Sequence, residues 1–479
     1  MPRTIVVIGA GISGLAASLR LSTAAAGVGK IILLEASGHV GGWLQTTRTQ
    51  DGAVFEHGPR GVRPAGKVGK NTLQMVSELG LESDVLPVTY SHVASKNRFL
   101  FIGGKLCKLP SGLRSAFVTC PPFTQPIIRS LVREPFVRRG EDYDESVHSF
   151  AARRFGKELA EIAIDGLCRG IFAGNSRKLS VRSCFPTLFE AERKFGSVLI
   201  GMIAGGGGGG SSKDPRFTSE LVSRAQAENW AQWTLRKGMK SLPEAMEQEL
   251  QRRGVEIHRD TPVNSVQQTP DGAWEVHLDG GTMNADHIFS SVPAKVLNRI
   301  LPQSWVTLCD SLREIDSVSV TVVNLEYDGS ILPVTGFGHL VPSQESGEIL
   351  GVVYDSCSYP QQDRMGPPTT RLTVMMGGSW FQEAFGDPDT VPQDHLLQRA
   401  TETVRSHLGV TQTPLRAIIR VQKDCIPQYA LGHSKHLDTI FGAVDQHGLP
   451  LSLIGASYCG VSVNDCIYEA QRSVDRLLG

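Results

Sequence analysis

The strongest constraint on this chain lies in its first nineteen residues. A short β-branched run, Thr4-Ile5-Val6-Val7-Ile8, passes straight into Gly9-Ala10-Gly11-Ile12-Ser13-Gly14, after which Leu15, Ala16 and Leu19 continue at helical spacing from Ile12. A strand that turns on glycines into a helix fits G-x-G-x-x-G in its proper context. Gly9 permits the tight turn, Gly11 lets backbone approach a pyrophosphate, and Gly14 allows close packing of the helix. The opening turn of that helix then offers unpaired N–H groups to the phosphates. A second apolar run at residues 31–34 ends at Glu35, placed to hold ribose hydroxyls. This βαβ unit predicts a doubly wound dinucleotide-binding fold, and alone it leaves the choice of dinucleotide open.

The chain has 479 residues, beyond the roughly 250 to 300 at which single cores stop growing, so at least two domains are expected. Its 48 basic and 48 acidic residues balance, which excludes a dominantly nucleic-acid-binding chain. The charge is unevenly spread, however. Residues 91–140 hold nine Lys or Arg against one acid, Glu134, with Phe99, Phe101, Phe117, Phe123, Ile127 and Leu131 between them. That mixture suits an anionic bilayer surface. No run approaches the roughly eighteen apolar residues a spanning helix needs, so membrane contact is expected to be peripheral. The first strand leaves no room for a cleavable leader before it, so any organelle address is expected to be internal. Nine scattered cysteines without C-x-x-C spacing read as free thiols.

Further along, residues 71–79 predict a helix capped by Asn71 and stopped by Gly80. Residues 205–212, six glycines and two serines, read as a linker. Strands are predicted near residues 255–258, 274–278, 288–292 and 318–325. Three other signals are set aside. Gly61-x-x-x-x-Gly66-Lys67 imitates a P-loop, but Val68 replaces the hydroxyl that would ligate magnesium. The thirteen histidines form no metal-binding spacing, and G-x-S-x-G is absent.

Gly41-Gly42-Trp43, Glu56-His57-Gly58-Pro59-Arg60-Gly61, Asn97-Arg98-Phe99, Lys237-Gly238-Met239 with Leu242-Pro243, residues 285–293 and residues 455–465 line up with one family. Through these blocks, from Arg3 to about Leu478, the chain resembles the protoporphyrinogen oxidases of animals, a branch of the flavin amine oxidase superfamily. Trp43 stands where the wider superfamily usually has arginine, which favours that branch. The resemblance implies FAD as cofactor, held by Gly9, Ala10, Gly11, Ile12, Ser13, Gly14, Glu35, Ala36, Gly42, Trp43, Gly58, Pro59, Arg60, Gly61, Val263, Ala456, Val461, Ser462 and Val463. Cys459 stands where the resemblance leads one to expect a carboxylate, and reads as a small buried hydrophobe.

The implied fold is α/β: a Rossmann-like FAD-binding domain split in sequence, a mixed α+β substrate domain and a helical membrane-binding domain. The FAD-binding parts are expected at residues 1–90, 236–295 and 421–479, the membrane-binding part at 91–205, a linker and substrate-domain segment at 206–235, and the substrate part at 296–420. The implied substrate is protoporphyrinogen IX, oxidised to the porphyrin in haem biosynthesis with O2 as acceptor and H2O2 released. A flat, apolar tetrapyrrole with an anionic edge calls for hydrophobic walls and an arginine. Arg98 is the candidate for a propionate, Arg60 a second candidate, and Phe337, Leu340 and Met375 the candidate walls. No catalytic side chain or metal is assigned, since a flavin carries the hydride step. Also implied are a homodimer on the intermembrane-space side of the inner mitochondrial membrane and a contact with ferrochelatase. Two alternatives stay open: another oxidase of the superfamily, or a non-catalytic carrier with a nucleotide fold.

Overall fold

The computed structural model describes residues 3–23, 28–204 and 217–479; the glycine and serine run at 205–212 lies outside them. The first strand, β1 (Arg3–Ile8), leads through the glycine turn into α1 (Ile12–Ser22) and then β2 (Val28–Leu34). These two strands sit in a fully parallel five-stranded sheet ordered Leu451–Leu453, His287–Ser290, β1, β2, Glu256–His258. Strands from three distant stretches of sequence thus build one sheet, as the split nucleotide domain requires.

Alternation along β1 explains why its apolar run is unbroken. Ile5 and Val7, with Ile31 and Leu33, enter one core with Leu15 and Leu19 of α1 and with Ile467 and Val474 of the C-terminal helix Val463–Leu478. Val6, Ile8, Ile32 and Leu34 enter a second core with Leu308, Leu312 and Ile440 on the other face. A parallel sheet covered on both faces needs apolar residues at every position. The glycine turn therefore sits at the carboxyl end of a central strand, where the sheet's connections diverge, which is the place such folds bind ligands.

The second sheet has seven strands: β3 (Arg98–Ile102), β4 (Lys105–Lys108), β5 (Ser317–Asp328), β6 (Gly338–Leu340), β7 (Ile349–Val353), β8 (Thr369–Gly377) and β9 (Arg416–Pro427). Their order is β9-β5-β8-β7-β6-β3-β4. One face, with Val323, Val352 and Val374, packs on α2 (Gln393–Leu408) through Leu396, Ala400 and Val404.

Several expected boundaries move. β3 and β4 fall inside the segment expected to be helical, yet they complete the second sheet. The strand Trp230–Leu235 pairs with Val85–Thr89, and Leu221 and Trp233 join the first core, so this segment belongs with the nucleotide fold. The helices Ala294–Ile300 and Val306–Arg313 cover the parallel sheet, and the second sheet begins only at Ser317. The helix expected from Asn71 starts at Gly66 and has Ala65, not Asn71, at its cap position; Gly80, at φ +69°, ends it as expected. The β-rich blocks gave clear alternation, whereas the first turn of this helix is too glycine- and lysine-rich to announce itself.

From residue 113 to 204 the described chain is mainly helical and is pinned by a buried ionic knot. Arg154, wholly buried, bonds Glu134 Oε1 at 3.1 Å and, through Nε, Glu192 Oε1 at 2.6 Å, and Arg153 joins Glu192 at 2.7 Å. Glu134 in turn accepts the Val198 N–H at 2.8 Å and the Ser197 hydroxyl, so it caps the helix Val198–Ala204. Around this interior Phe117, Val118, Val132, Phe136 and Ile203 face outward, Phe136 at 86% exposure. Among the described residues no helix is long and apolar enough to cross a membrane. Removing one partner strands the opposite charges without water, so Arg154→Ala should cost about 3–5 kcal/mol. Urea denaturation of the variant against the parent measures this, and a loss under about 1 kcal/mol would dissolve the knot's importance.

Candidate functional site

The glycine turn has the shape a pyrophosphate requires. Gly9 lies at φ +95°, and a Cβ on Gly14 would stand 1.9 Å from the Gly9 carbonyl oxygen, so α1 can approach β1 only without that side chain. A Cβ on Gly11, by contrast, would meet nothing within 4 Å. This open space lies beside the start of α1, whose cap residue Gly11 supplies no side-chain bond to the first amides. The Ser291 hydroxyl donates to the Gly9 carbonyl at 2.8 Å and fixes the turn from beneath.

Glu35 ends β2 with its carboxylate turned to the turn: Oε2 accepts the Ala10 N–H at 2.8 Å, and Oε1 accepts the Ser37 N–H at 2.9 Å. Ala36 beside it is exposed. The Thr261 N–H donates to the Glu35 carbonyl at 2.9 Å, which brings Val263 to the same end of the turn. Gly41 donates to the Ala10 carbonyl at 2.8 Å, and a Cβ on Gly42 would lie 3.3 Å from Gly11 Cα. Trp43 then packs its carbonyl on Gly58, where a Cβ would approach to 2.0 Å. A Cβ on Gly455 would lie 3.2 Å from the Ser291 carbonyl, so Ala456 leaves the sheet beside the same turn. Ser462 caps the C-terminal helix by accepting the Asp465 N–H, and Asn464 Nδ2 donates to the Arg63 carbonyl at 2.8 Å. That bond ties the start of the C-terminal helix to the chain just after Gly61, while Val461 packs against the cluster of Phe150, Cys168 and Phe172. The open space at Gly11, the free first amides of α1 and the Glu35 carboxylate beside them fit the ADP half of FAD.

Beneath the 58–61 loop lies a buried polar junction. Arg60 Nη1 donates to Asp355 Oδ1 at 2.8 Å, while its Nη2 is buried without a partner. Asp355 Oδ2 accepts the Thr373 hydroxyl at 2.6 Å, and Thr373 accepts from Asn324 Nδ2 at 2.8 Å. Asn324 Oδ1 meets His57 Nδ1 at 2.8 Å, and His57 Nε2 meets the Thr47 hydroxyl at 2.7 Å. With an amide oxygen on one side and a hydroxyl on the other, His57 is a neutral imidazole protonated on Nδ1. Burial lowers its pKa to about 4 despite the Asn324 bond. Burial has the opposite sign for Glu56, raising its carboxyl to about 7 even though the Met239 N–H and the Thr46 hydroxyl donate to it.

Three of the candidate substrate residues, Arg98, Leu340 and Met375, share one face of the second sheet, whereas Arg60 lies in the 58–61 loop and Phe337 just before β6. Leu100, Leu340, Gly351, Met375 and Val322 form one lateral row across β3, β6, β7, β8 and β5. Arg98, Gly338, Val353, Thr373 and Asn324 form a second row two residues away, and so point to the same side. Arg98 and Met375 therefore stand on the face that carries the polar junction beneath the 58–61 loop. Arg98 is exposed, with Phe337 beneath it at 6.0 Å, and partial burial together with Arg63 lowers its pKa from the ordinary value. Leu340 packs on Gly166 and Gly170, and Met375 on the Ala173, Val322 and Leu350 cluster.

A cavity of about 750 Å³ lies against the 458–462 loop, lined among others by Phe189, Tyr429, His433, Cys459, Val461 and Ser462. Cys459 is exposed there, not buried as expected, because it sits between buried Tyr458 and Gly460 at φ +122°, where the loop turns outward. All nine cysteines are free. Residue reading missed Asn324, Thr373, Asp355 and Tyr429. Only Asp355 carried a local signal, an acid directly after the apolar run 349–354.

Two outcomes test this geometry. Gly11→Val should fold with near-parental stability, since a Cβ there meets no atom within 4 Å, yet purify without bound flavin; a yellow variant would refute the assignment. Glu56 has a folded pKa raised above its unfolded one, so its stabilisation is full below about 4.5 and lost as pH rises through about 7. The parent should therefore lose about 3 kcal/mol relative to Glu56→Gln between pH 4.5 and 8, read by urea denaturation at each pH.

Comparison with known proteins agrees with this geometry. Residues 12–478 match the family described as flavin containing amine oxidoreductase. Human protoporphyrinogen oxidase is 48% identical over 479 residues, covering 100% of this chain and 99% of the relative, and the bovine protein gives the same figures. A solved structure from Exiguobacterium sp. 255-15 has a TM-score of 0.78 at 23% identity, covering 100% of this chain and 99% of that one. The family match spans the 58–61 loop and the capped C-terminal helix, and the chain belongs to the flavin containing amine oxidoreductase family.

Proposed function

We propose that this chain oxidises protoporphyrinogen IX to protoporphyrin IX, with FAD as its cofactor and O2 as the final acceptor. One observation carries the reading: Arg98, Leu340 and Met375 share the sheet face that also seats the flavin loop through Asn324 and Thr373. A flat apolar molecule with carboxylates at one edge needs such a surface, a guanidinium at one end and short apolar side chains along it. Gly351, between Leu340 and Met375 in the row, leaves the middle of the wall without a side chain. The names of the human and bovine relatives point to the same substrate.

FAD would supply the hydride acceptor and its reoxidation by O2. Six hydrogens leave the substrate as three pairs, so each porphyrin formed would release three H2O2. The protein's own residues bind and orient. Arg98 would grip a propionate, with Phe337 packed under its guanidinium. Asp355 holds Arg60 so that the unpartnered Nη2 can donate to an acceptor on the bound molecules. His57 has both ring nitrogens engaged and is held neutral, and Glu56 is tied to the Met239 and Thr46 donors, so neither is poised as an acid or base toward substrate.

We further propose a homodimer, peripheral to the intermembrane-space side of the inner mitochondrial membrane and in contact with ferrochelatase. Support for the membrane part is the outward-facing Phe117, Val132, Phe136 and Ile203 beside Arg114, Arg129 and Arg133. The test of the reaction is quantitative. In air the purified chain should form three H2O2 per porphyrin and consume no oxygen with simple amines; exclusive amine turnover would overturn the reading. Arg98→Ala should raise KM about tenfold with kcat within about twofold, because a propionate contact serves ground and transition states alike.

A further inference from the structure

The loop that carries Ala456 and Val461 is bridged end to end by one buried phenol. Tyr429, 2% exposed, donates its hydroxyl hydrogen to the Ala456 carbonyl at 2.5 Å, and the same oxygen accepts the Gly460 N–H at 2.8 Å. One oxygen thus bridges the two ends of the turn 456–460. Gly460 lies at φ +122° and Gly455 at φ +108°, so glycines flank the bridged turn and little in the backbone itself prefers this shape.

The phenol is itself held on three sides. Its ring stacks on His433 at 4.1 Å and 13°, and His433 Nε2 lies 3.4 Å from the Tyr458 carbonyl of the same loop. Its backbone carbonyl accepts the Ser180 N–H at 2.8 Å and the Cys184 thiol, tying it to the helical portion. Phe172 closes the remaining side at 6.3 Å. Burial raises the phenol well above its ordinary pKa, so it stays protonated and keeps its donor.

We propose that Tyr429 is a positioning residue for the reaction: its hydroxyl fixes the 456–460 turn and thereby the reach of Val461, Ser462 and the first amides of the C-terminal helix toward the isoalloxazine. This rests on the reading that the 461–463 segment touches the flavin. Tyr429→Phe keeps the ring, the stack on His433 and the backbone bonds, and removes only the bridge. Tyr458→Phe is its control, since the Tyr458 hydroxyl is buried in the same loop without a partner.

Both variants, and Val461→Asp at the loop tip, would be purified as holoenzymes and compared by FAD dissociation, by the visible flavin spectrum and by kcat and KM. Tyr429→Phe should bind FAD about tenfold more weakly, shift the flavin absorption bands and lower kcat with KM for protoporphyrinogen little changed. Tyr458→Phe should leave all of these as in the parent. If Tyr429→Phe matches the parent while Val461→Asp alters the flavin spectrum, the positioning role falls and the flavin contact stands. If Val461→Asp also leaves the spectrum unchanged, the contact falls and the positioning role with it. A loss of stability in Tyr429→Phe without spectral change would likewise overturn the proposal, leaving Tyr429 a purely structural residue.

Discussion

The nucleotide fold and the second sheet meet through directed bonds, and the side chain of Asn324 carries the meeting. Its oxygen accepts from His57, and its nitrogen donates to the Glu56 carbonyl and to Thr373, so the amide bonds two consecutive residues at the base of the 58–61 loop and its neighbour in the sheet. Gln422 repeats the arrangement one strand away, donating to the His57 carbonyl at 2.9 Å. An apolar contact tolerates sliding, whereas buried polar groups cost about 1–3 kcal/mol each when left unpaired. The junction therefore permits one relative placement of loop and sheet, and that placement decides how far a molecule on the Arg98 face stands from a flavin on the glycine turn.

The parts of this arrangement that could be read from the chain alone are those whose physics is local. The turn from Gly9 to Gly14 is local because its glycines answer to backbone sterics within a few residues, and the structure keeps each in the position its spacing implied. The strand at Arg98 was legible for the same reason, since alternation over five residues is enough to mark it. Its sheet partners were not, because parallel pairing with Gly338–Leu340 joins residues some 240 positions apart and leaves no local trace. Asn324 and Thr373 sit inside continuous β-branched runs where one polar residue looks incidental. Tyr429 resembles any core aromatic until the loop it bridges is folded beside it. The boundaries moved for a related reason: helices such as Val306–Arg313 join whichever sheet their apolar face finds, and amphipathicity does not say which.

The helical portion solves a different problem. Its large apolar side chains are divided between a modest interior around Phe150, Cys168 and Phe172 and an outward set that includes Phe136 and Ile203. With part of its apolar surface turned out, cohesion falls to Arg154, Glu134 and Glu192. A buried charge cluster is no more stabilising than a well-packed apolar one, yet it is intolerant of rearrangement. It keeps the helices in register while their outer faces remain available.

The place of β3, between the edge strand β4 and β6, bears on how the chain is made. During synthesis β3 can pair only with β4, and an isolated two-stranded hairpin is marginal in water. Its permanent partner, β6, emerges some 240 residues later, after the helical portion and the middle of the nucleotide fold. The growing chain must therefore carry an unpaired strand edge with Phe99, Leu100 and Phe101 on it through about half of its translation, which is the condition under which chains aggregate or are taken up by chaperones. The residue that would grip the substrate is, on this account, among the first of the site to be synthesised and among the last to reach its final surroundings.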